Sequence, residues 1–383
     1  MFMSLPVPAP AALSLSQQLT RRIVDELAST SWMSFARYME LALYAPALGY
    51  YSAGATKLGA SGDFITAPEI SPLFGRSLAQ QIAQVLRITA GDVLETGAGT
   101  GRLACDVLTE LIRLNCAPSH YYILEVSADL RQRQQQLLLK ELPDWVDKVV
   151  WLDALPAVFT GCIIGNEVLD AMPVHLITRT EHGLNERGVI WDNQQFAWQD
   201  KPLTTGALFD AATALDLPAD YLTEINLSAA GFITSLAQCL QHGAVVMVDY
   251  GFGEREYYHP QRNQGTLMCH YRQHAHTDPF YLPGLQDITA HVDFTAVGVA
   301  GIDAGLQLAG YTSQAQYLIN CGITDLLALT SADDVAAYVP QVAAVQKLIS
   351  PAEMGELFKV MAWTRGIDAP LMGFVQGDQT RRL

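Results

Sequence analysis

Apolar positions near the start of the chain recur at spacings of three and four: Leu19, Ile23 and Leu27, then Phe35, Met39 and Leu43. That is the period of a helix with one buried face. The polar stretch "STSWMS" between the two sets predicts two helices rather than one. "ALGYYSAGATKLGASGDF" is rich in glycine and small residues and reads as a loop, and helical periodicity resumes over residues 72–86. The period then changes repeatedly. Strand "DVLET", a glycine turn, helix "RLACDVLTELIRL", strand "YYILEV" and helix "ADLRQRQQQLLLKEL" are followed by strands "VVWL" and "GCIIGN", and later by "GAVVMVDYG". Strands interleaved with helices predict right-handed βαβ units and a parallel sheet covered on both faces.

Residues 175–202 break this rhythm. "HLITRT", "LNERGVIWD" and "QQFAWQD" alternate with turn residues and predict antiparallel strands inserted into the α/β core. Residues 251–294 are rich in Tyr, His, Pro and Gly with little periodicity, as expected of a functional lid. The tail from Gly298 reads as helical, and "FKVMAWTRG" with "PLMGFV" reads as a closing hairpin. Four parts follow: an N-terminal helical cap with its loop (1–86), the first part of a core (87–174), inserted strands and a helix (175–240), and the completed core with its lid, C-terminal helices and hairpin (241–383).

Half of the 383 residues are hydrophobic, enough for a sizeable core. No apolar run reaches the length of a membrane span. The opening "MFMSLPVPAPAALSLS" has no basic stretch ahead of a long apolar one, and no Arg precedes Arg21. Neither a signal peptide nor a transit peptide is therefore expected. The six cysteines are scattered without a CxxC pair, so the expected location is the reducing cytoplasm. Nine histidines show no metal-ligand spacing, and no metal site is expected. A net charge of −16, from 39 acidic and 23 basic residues without a basic cluster, argues against a nucleic-acid partner. A basic protein or peptide fits better.

Chemistry concentrates in two places. "VLETGAGTGRLA" puts Gly97, Gly99 and Gly101 between a strand and a helix, where a dinucleotide fingerprint would need a further glycine at Arg102. Glu95, just before these glycines, suits a cationic group better than a pyrophosphate. S-adenosylmethionine, which carries an ammonium and a sulfonium and no phosphate, fits. Glu125 at the end of the next strand is placed for ribose hydroxyls, and Asp153 after "VVWL" for an adenine amino group. A tight strand-to-helix turn is the plain alternative. In the second place, the apolar run Cys162-Ile163-Ile164 breaks into Asn166-Glu167 and then Asp170. Here the plain alternative is capping, with Asp170 starting a helix and Asn166 closing the strand.

The glycine loop resembles that of class I S-adenosylmethionine-dependent methyltransferases. More narrowly, "KLGASGDFITAPEISPLFG", "GNEVLDAMPV", "VDYGF", "EYYHPQRNQGTLMCHYRQHAHTDPF" and "GLQDITAHVDF" resemble the MidA family of protein arginine methyltransferases, over about residues 34–294. The resemblance implies a Rossmann-like, mostly parallel seven-stranded sheet with an N-terminal helical cap and an inserted antiparallel segment. It also implies a protein substrate with an accessible arginine, since mitochondrial relatives act on a respiratory complex I subunit; a homodimer is left open. In that family setting the fourth strand end faces the transferred methyl group, so Glu167 and Asp170, with Asn166, would grip a guanidinium. His291 in "DITAHVDF" would orient a carboxylate or relay a proton. Gly62 and Asp63 in "SGDF" would close over the amino-acid end of the cofactor. Tyr257, Tyr258, Tyr271, Phe280 and Tyr281 would line an arginine channel or form a satellite core beneath the lid. The rival readings are methylation of a small molecule or another nitrogen, and a non-catalytic cofactor-binding assembly factor.

Overall fold

The computed structural model of the chain describes residues 5–53 and 66–383. At its centre lie seven strands: β1 (Asp92–Thr96), β2 (Tyr121–Leu124), β3 (Val149–Leu152), β4 (Phe159–Asn166), β5 (Leu240–Phe252), β6 (Gln307–Ser313) and β7 (Phe358–Arg365). Their spatial order is β6–β7–β5–β4–β1–β2–β3. Neighbours among β1 to β5 pair in parallel, whereas β7 runs antiparallel to both β5 and β6. A short eighth strand, Val292–Asp293, pairs with the end of β5. The mostly parallel sheet expected from the alternation is present. Helices Pro72–Thr89 and Arg102–Arg113 bury Leu78, Ile82, Leu103 and Val107 against one face. Helix Leu227–Cys239 buries Ile233 and Leu236 on the other face, beside Ile163 and Val245. Because the strand order turns back between β1 and β4, a crevice opens beyond their carboxyl ends.

Two expectations about the tail are corrected. Residues 307–313 are not helical but form β6, whose partner is β7. "PLMGFV" does not pair with β7; it passes into the 3-10 turn Met372–Phe374. The reason is that β7 is buried along nearly its whole length, and its backbone groups are satisfied by strands on both sides. An edge strand such as "QLAGYTS" has one partner and needs no strong apolar alternation of its own.

The two N-terminal helices are Pro10–Thr30 and Phe35–Tyr44, and the apolar residues counted in the sequence form their buried faces. Ser34 caps the second helix by accepting the Arg37 N–H. Met33–Ser34 also pairs with the inserted strand Gly183–Asp192. With His175–Thr180, Gln195–Pro202 and Tyr221–Ile225 they build an antiparallel sheet of five strands. One apolar cluster joins Leu19, Ile23 and Phe35 of the helices to Leu176 and Val189 of the insert and to Cys269 and Ile288 of the lid. The lid carries its own small sheet, Met268–Tyr271 with His274–His276 and Asp287–Thr289. Buried Glu224 anchors it, accepting the N–H groups of Thr266 at 2.9 Å and Leu267 at 3.0 Å and the Tyr257 hydroxyl at 3.2 Å. Gly265, at φ +74°, lets the chain pass so close that a Cβ would stand 2.2 Å from the Glu224 carboxylate. No helix among the described residues is long and apolar enough to cross a membrane.

Candidate active site

A cavity of about 660 Å³ lies over the carboxyl ends of β1, β2 and β4. The chain turns from β1 into the next helix with Gly97, Gly99 and Gly101 at φ +66°, +53° and +87°, a conformation glycine adopts without a steric penalty. A Cβ on Gly97 would meet Val168 at 3.1 Å, and one on Gly101 the Gln134 backbone at 3.2 Å. Gly97 and Gly99 line the cavity, while Gly101 sits behind it at the start of the helix.

Glu95, Glu125, Asn166, Glu167 and Asp170 also line this space. Buried Glu95 accepts a hydrogen bond from the Tyr121 hydroxyl at 2.6 Å. Burial pushes its pKa up to about 7, against the pull of that hydroxyl. Glu125 accepts the Ser127 N–H at 2.9 Å and the Gln134 side-chain amide at 3.1 Å, and burial raises its pKa too. Next to it Val126 is 73% exposed, an apolar wall at the strand end. Glu167 accepts from the Asn166 side chain at 3.0 Å and from the Ala67 N–H at 3.4 Å. Burial first, then the Asp170 charge, push Glu167 up to about 8. Burial pushes Asp170 up to about 6, opposed by the Tyr250 hydroxyl beside it. The Asn166 and Asp170 Oδ1 atoms are buried without a hydrogen-bond partner among the described residues. Capping does not explain the cluster: no helix follows Asp170, and the next element is the strand His175–Thr180.

Arg102 is the one basic side chain among the described residues lining the cavity, and it is turned to Asp106 at 3.0 Å and Glu141 at 3.9 Å. Among the described residues, several buried carboxyls thus face a space without a paired cation. A ligand carrying an ammonium and a sulfonium beside a ribose and a purine matches this set of acceptors and the apolar wall beside it. The raised carboxyls also set a pH dependence. Between about pH 6.5 and 8 the unfolded chain holds no proton on Glu95 or Glu167, while the folded chain still does, so stability falls as pH rises. His291, pushed down to about 4, works the other way, mainly below that window and fading as pH rises past the ordinary histidine range. Melting of the ligand-free protein is expected at lower temperature at pH 8 than at pH 6.5, with a shallower slope in Glu167→Gln. A flat or rising curve would refute it.

Other sequence candidates lie elsewhere. Asp153 is 91% exposed and pairs with Arg131 at 2.8 Å, outside the cavity. His291 does not line the cavity either. Its ring stacks on Phe252 at 5.3 Å and meets Tyr250 edge-on at 5.1 Å, and its Nδ1 is buried without a hydrogen-bond partner among the described residues. Burial, then Arg262, keep it neutral. Gly62 and Asp63 lie outside the described residues. The expected channel aromatics are also absent from the lining. Tyr257 bonds to Glu224, Tyr271 meets Tyr281, and Phe280 packs on Tyr38 and Trp198. Tyr44 and Tyr51 line the cavity instead, stacked at 5.5 Å on its wall. Their hydroxyls donate to the Ala171 carbonyl at 3.0 Å and to Asp287 at 2.9 Å. Sequence reasoning missed both tyrosines, and it missed Asp249, whose only signal was a carboxylate inside the apolar run "VVMVDYG".

Comparison with known proteins agrees with this geometry. A family model for S-adenosyl-L-methionine-dependent methyltransferases matches residues 75–312. Protein arginine methyltransferase NDUFAF7, mitochondrial, of Rattus norvegicus is 30% identical over 389 residues, covering 92% of this chain and 86% of that protein. Its Danio rerio counterpart is 27% identical over 377 residues, covering 90% and 86%. A crystal structure from Burkholderia thailandensis bound to S-adenosyl-homocysteine is 49% identical with a TM-score of 0.96, covering 99% of this chain and 100% of that one. The cytoplasmic location expected from the sequence is corrected by these matches, because the curated relatives are named mitochondrial. With the family model spanning well over half of its length and the glycine turn and strand-end carboxylates in one cavity, the chain belongs to the MidA family of S-adenosyl-L-methionine-dependent methyltransferases.

Proposed function

We propose that this protein methylates an arginine side chain of a protein substrate, with Glu167 and Asp170 holding the guanidinium. The observation that carries this reading is the pair itself: two buried carboxyls, raised to about 8 and about 6, open to the cofactor cavity with no cation paired to them among the described residues. Raised carboxyls await a positive charge, and a guanidinium brings a permanent one with five donors. The curated relatives carry the name protein arginine methyltransferase, which supports the same choice.

S-adenosylmethionine supplies an electrophilic methyl group on a positively charged sulfur. Glu95 would hold its ammonium and Glu125 its ribose, with Glu167 lining the same cavity. Entry of the guanidinium returns Glu167 and Asp170 to their ionised forms, and their bidentate bonds localise charge on the nitrogens away from the attacking one. Alignment of that nitrogen accounts for much of the acceleration. As the N–CH3 bond formed and the S–CH3 bond broke to leave S-adenosylhomocysteine, the nitrogen would shed a proton, and one of the two carboxylates could take it. Tyr44 and Tyr51 form an aromatic wall for the flat cation. His291 acts through Tyr250, keeping that hydroxyl beside Asp170. In this reading the central sheet serves the cofactor, and the N-terminal cap, the insert and the lid form the substrate side.

The direct test is mass spectrometry of arginine peptides incubated with the protein and S-adenosylmethionine. A gain of one methyl mass on arginine is expected; cofactor binding with no arginine product would overturn the reading. Glu125→Gln is expected to weaken S-adenosylhomocysteine binding about tenfold, the loss of one charge-assisted contact, with melting little changed. Unaltered affinity by calorimetry would remove Glu125 from the ribose role.

A further inference from the structure

We propose that Asp249 is the positioning residue of the acidic pair, an inference that rests on reading Glu167 and Asp170 as the guanidinium site. Asp249 is fully buried on β5 and follows the apolar run of residues 245–248. Val248 pairs with Asn166, the last residue of β4, so Asp249 stands where the chain leaves that strand. Its Oδ2 accepts three successive backbone N–H groups, from Val168 at 3.1 Å, Leu169 at 2.8 Å and Asp170 at 3.3 Å. Its Oδ1 accepts the Tyr250 N–H at 2.9 Å. The Glu167 N–H donates to the Val248 carbonyl at 2.8 Å. Four consecutive amides, 167–170, are thus tied to two residues of one rigid strand.

The tie has a conformational consequence. Glu167 is held at φ +53°, a region that L side chains rarely occupy and that persists only where the surroundings impose it. Successive N–H groups converging on one point form a site for a strong acceptor, and here the Asp249 carboxyl supplies it, even though burial and then the Asp170 and Glu167 charges raise its pKa well above the ordinary value. Two further contacts close the turn: the Ala290 N–H donates to the Asp170 carbonyl at 3.0 Å, and the Asn226 side chain to the Leu169 carbonyl at 3.2 Å. With the backbone so fixed, the Glu167 and Asp170 side chains both line the cavity. Asp249 itself does not line it. It acts through the pair it holds.

Asp249→Asn tests this. The amide keeps the size of the carboxylate but must aim an N–H2 group either at the three amides or at that of Tyr250. For methylation of an arginine peptide, kcat per cofactor-binding site is expected to fall on the order of 100-fold, the cost of a misplacement near 1 Å. The Kd for S-adenosylhomocysteine is expected to stay within about twofold. A variant that melts earlier yet keeps wild-type kcat per binding site would reduce Asp249 to a stability role and overturn the inference. If the variant does not fold, hydrogen exchange of the wild-type protein decides. The amides of Val168, Leu169 and Asp170 lie outside helices and strands, yet are expected to exchange at least about 100-fold more slowly than an open chain. Open-chain rates there overturn the inference. A wild-type protein that binds S-adenosylhomocysteine but methylates no arginine peptide would instead overturn the parent reading of the pair.

Discussion

Glu167→Gln is expected to lower kcat for arginine methylation by about 100- to 1,000-fold, while S-adenosylhomocysteine affinity changes less than about twofold. The side chain keeps its length, so the cavity keeps its shape. What changes is the acceptor set: an ionisable carboxyl becomes an amide with its own two donors facing a guanidinium made only of donors. Losing one charge-assisted bidentate contact that matters in the transition state costs about 3–4 kcal/mol, which is two to three orders of magnitude in rate. Glu167 follows β4, whereas Glu95 lies on β1 and Glu125 follows β2, so cofactor affinity is the control. Single-turnover transfer to an arginine peptide is the measurement. A rate within threefold of wild type would remove Glu167 from the chemistry, whatever the substrate.

The second large effect is on folding. Gly161→Ala is expected to destabilise the protein by about 3–5 kcal/mol, a large part of the 5–15 kcal/mol typical of a domain. Gly161 lies near the start of β4 at φ +134°, where an added Cβ would stand 1.9 Å from the Asp92 carbonyl oxygen. Asp92 is its partner on β1, and Gly243 is its partner on β5. The methyl group therefore collides between the two strands that carry the site, and neither can move without disturbing a buried sheet. Backbone strain of about 1–3 kcal/mol adds to a similar cost of overpacking. Urea unfolding followed by circular dichroism would read this as a lowered midpoint with an unchanged slope. A midpoint shift worth less than 1 kcal/mol would show that the sheet can relax there. Because Gly161 does not line the cavity, whatever fraction folds should still bind S-adenosylhomocysteine.

Local chemistry was legible in the sequence where it also sets local structure. The glycines after β1 are visible because only glycine takes that turn freely, and Glu95, Glu125 and the Asn166–Asp170 cluster because a polar group ending an apolar strand is conspicuous. Asp153 shows the limit of that argument. It too follows a strand, but β3 is the sheet edge, and its carboxylate turns to Arg131 in solvent. The aromatics of the lid could not be sorted by pattern. A tyrosine buried on Glu224 and a tyrosine on a cavity wall obey the same periodicity, so for Tyr257 channel and satellite core stay equally open, and Tyr44 and Tyr51 carry no signal. The strand β6 was missed because an edge strand of polar and small residues carries no alternation.

By itself the amino-acid order determined the alternation of strands and helices, the helical pair at the N-terminus, the glycine turn after β1 and the acidic character of the cavity. These depend on residue period, glycine conformation and charge, all properties of short stretches. Only the tertiary structure decided which acids meet. Asp249 is some eighty residues from the turn it holds, and Tyr44 more than a hundred from the Ala171 carbonyl it reaches. Such contacts arise from strand order and helix packing, where the energy lies between segments rather than within them.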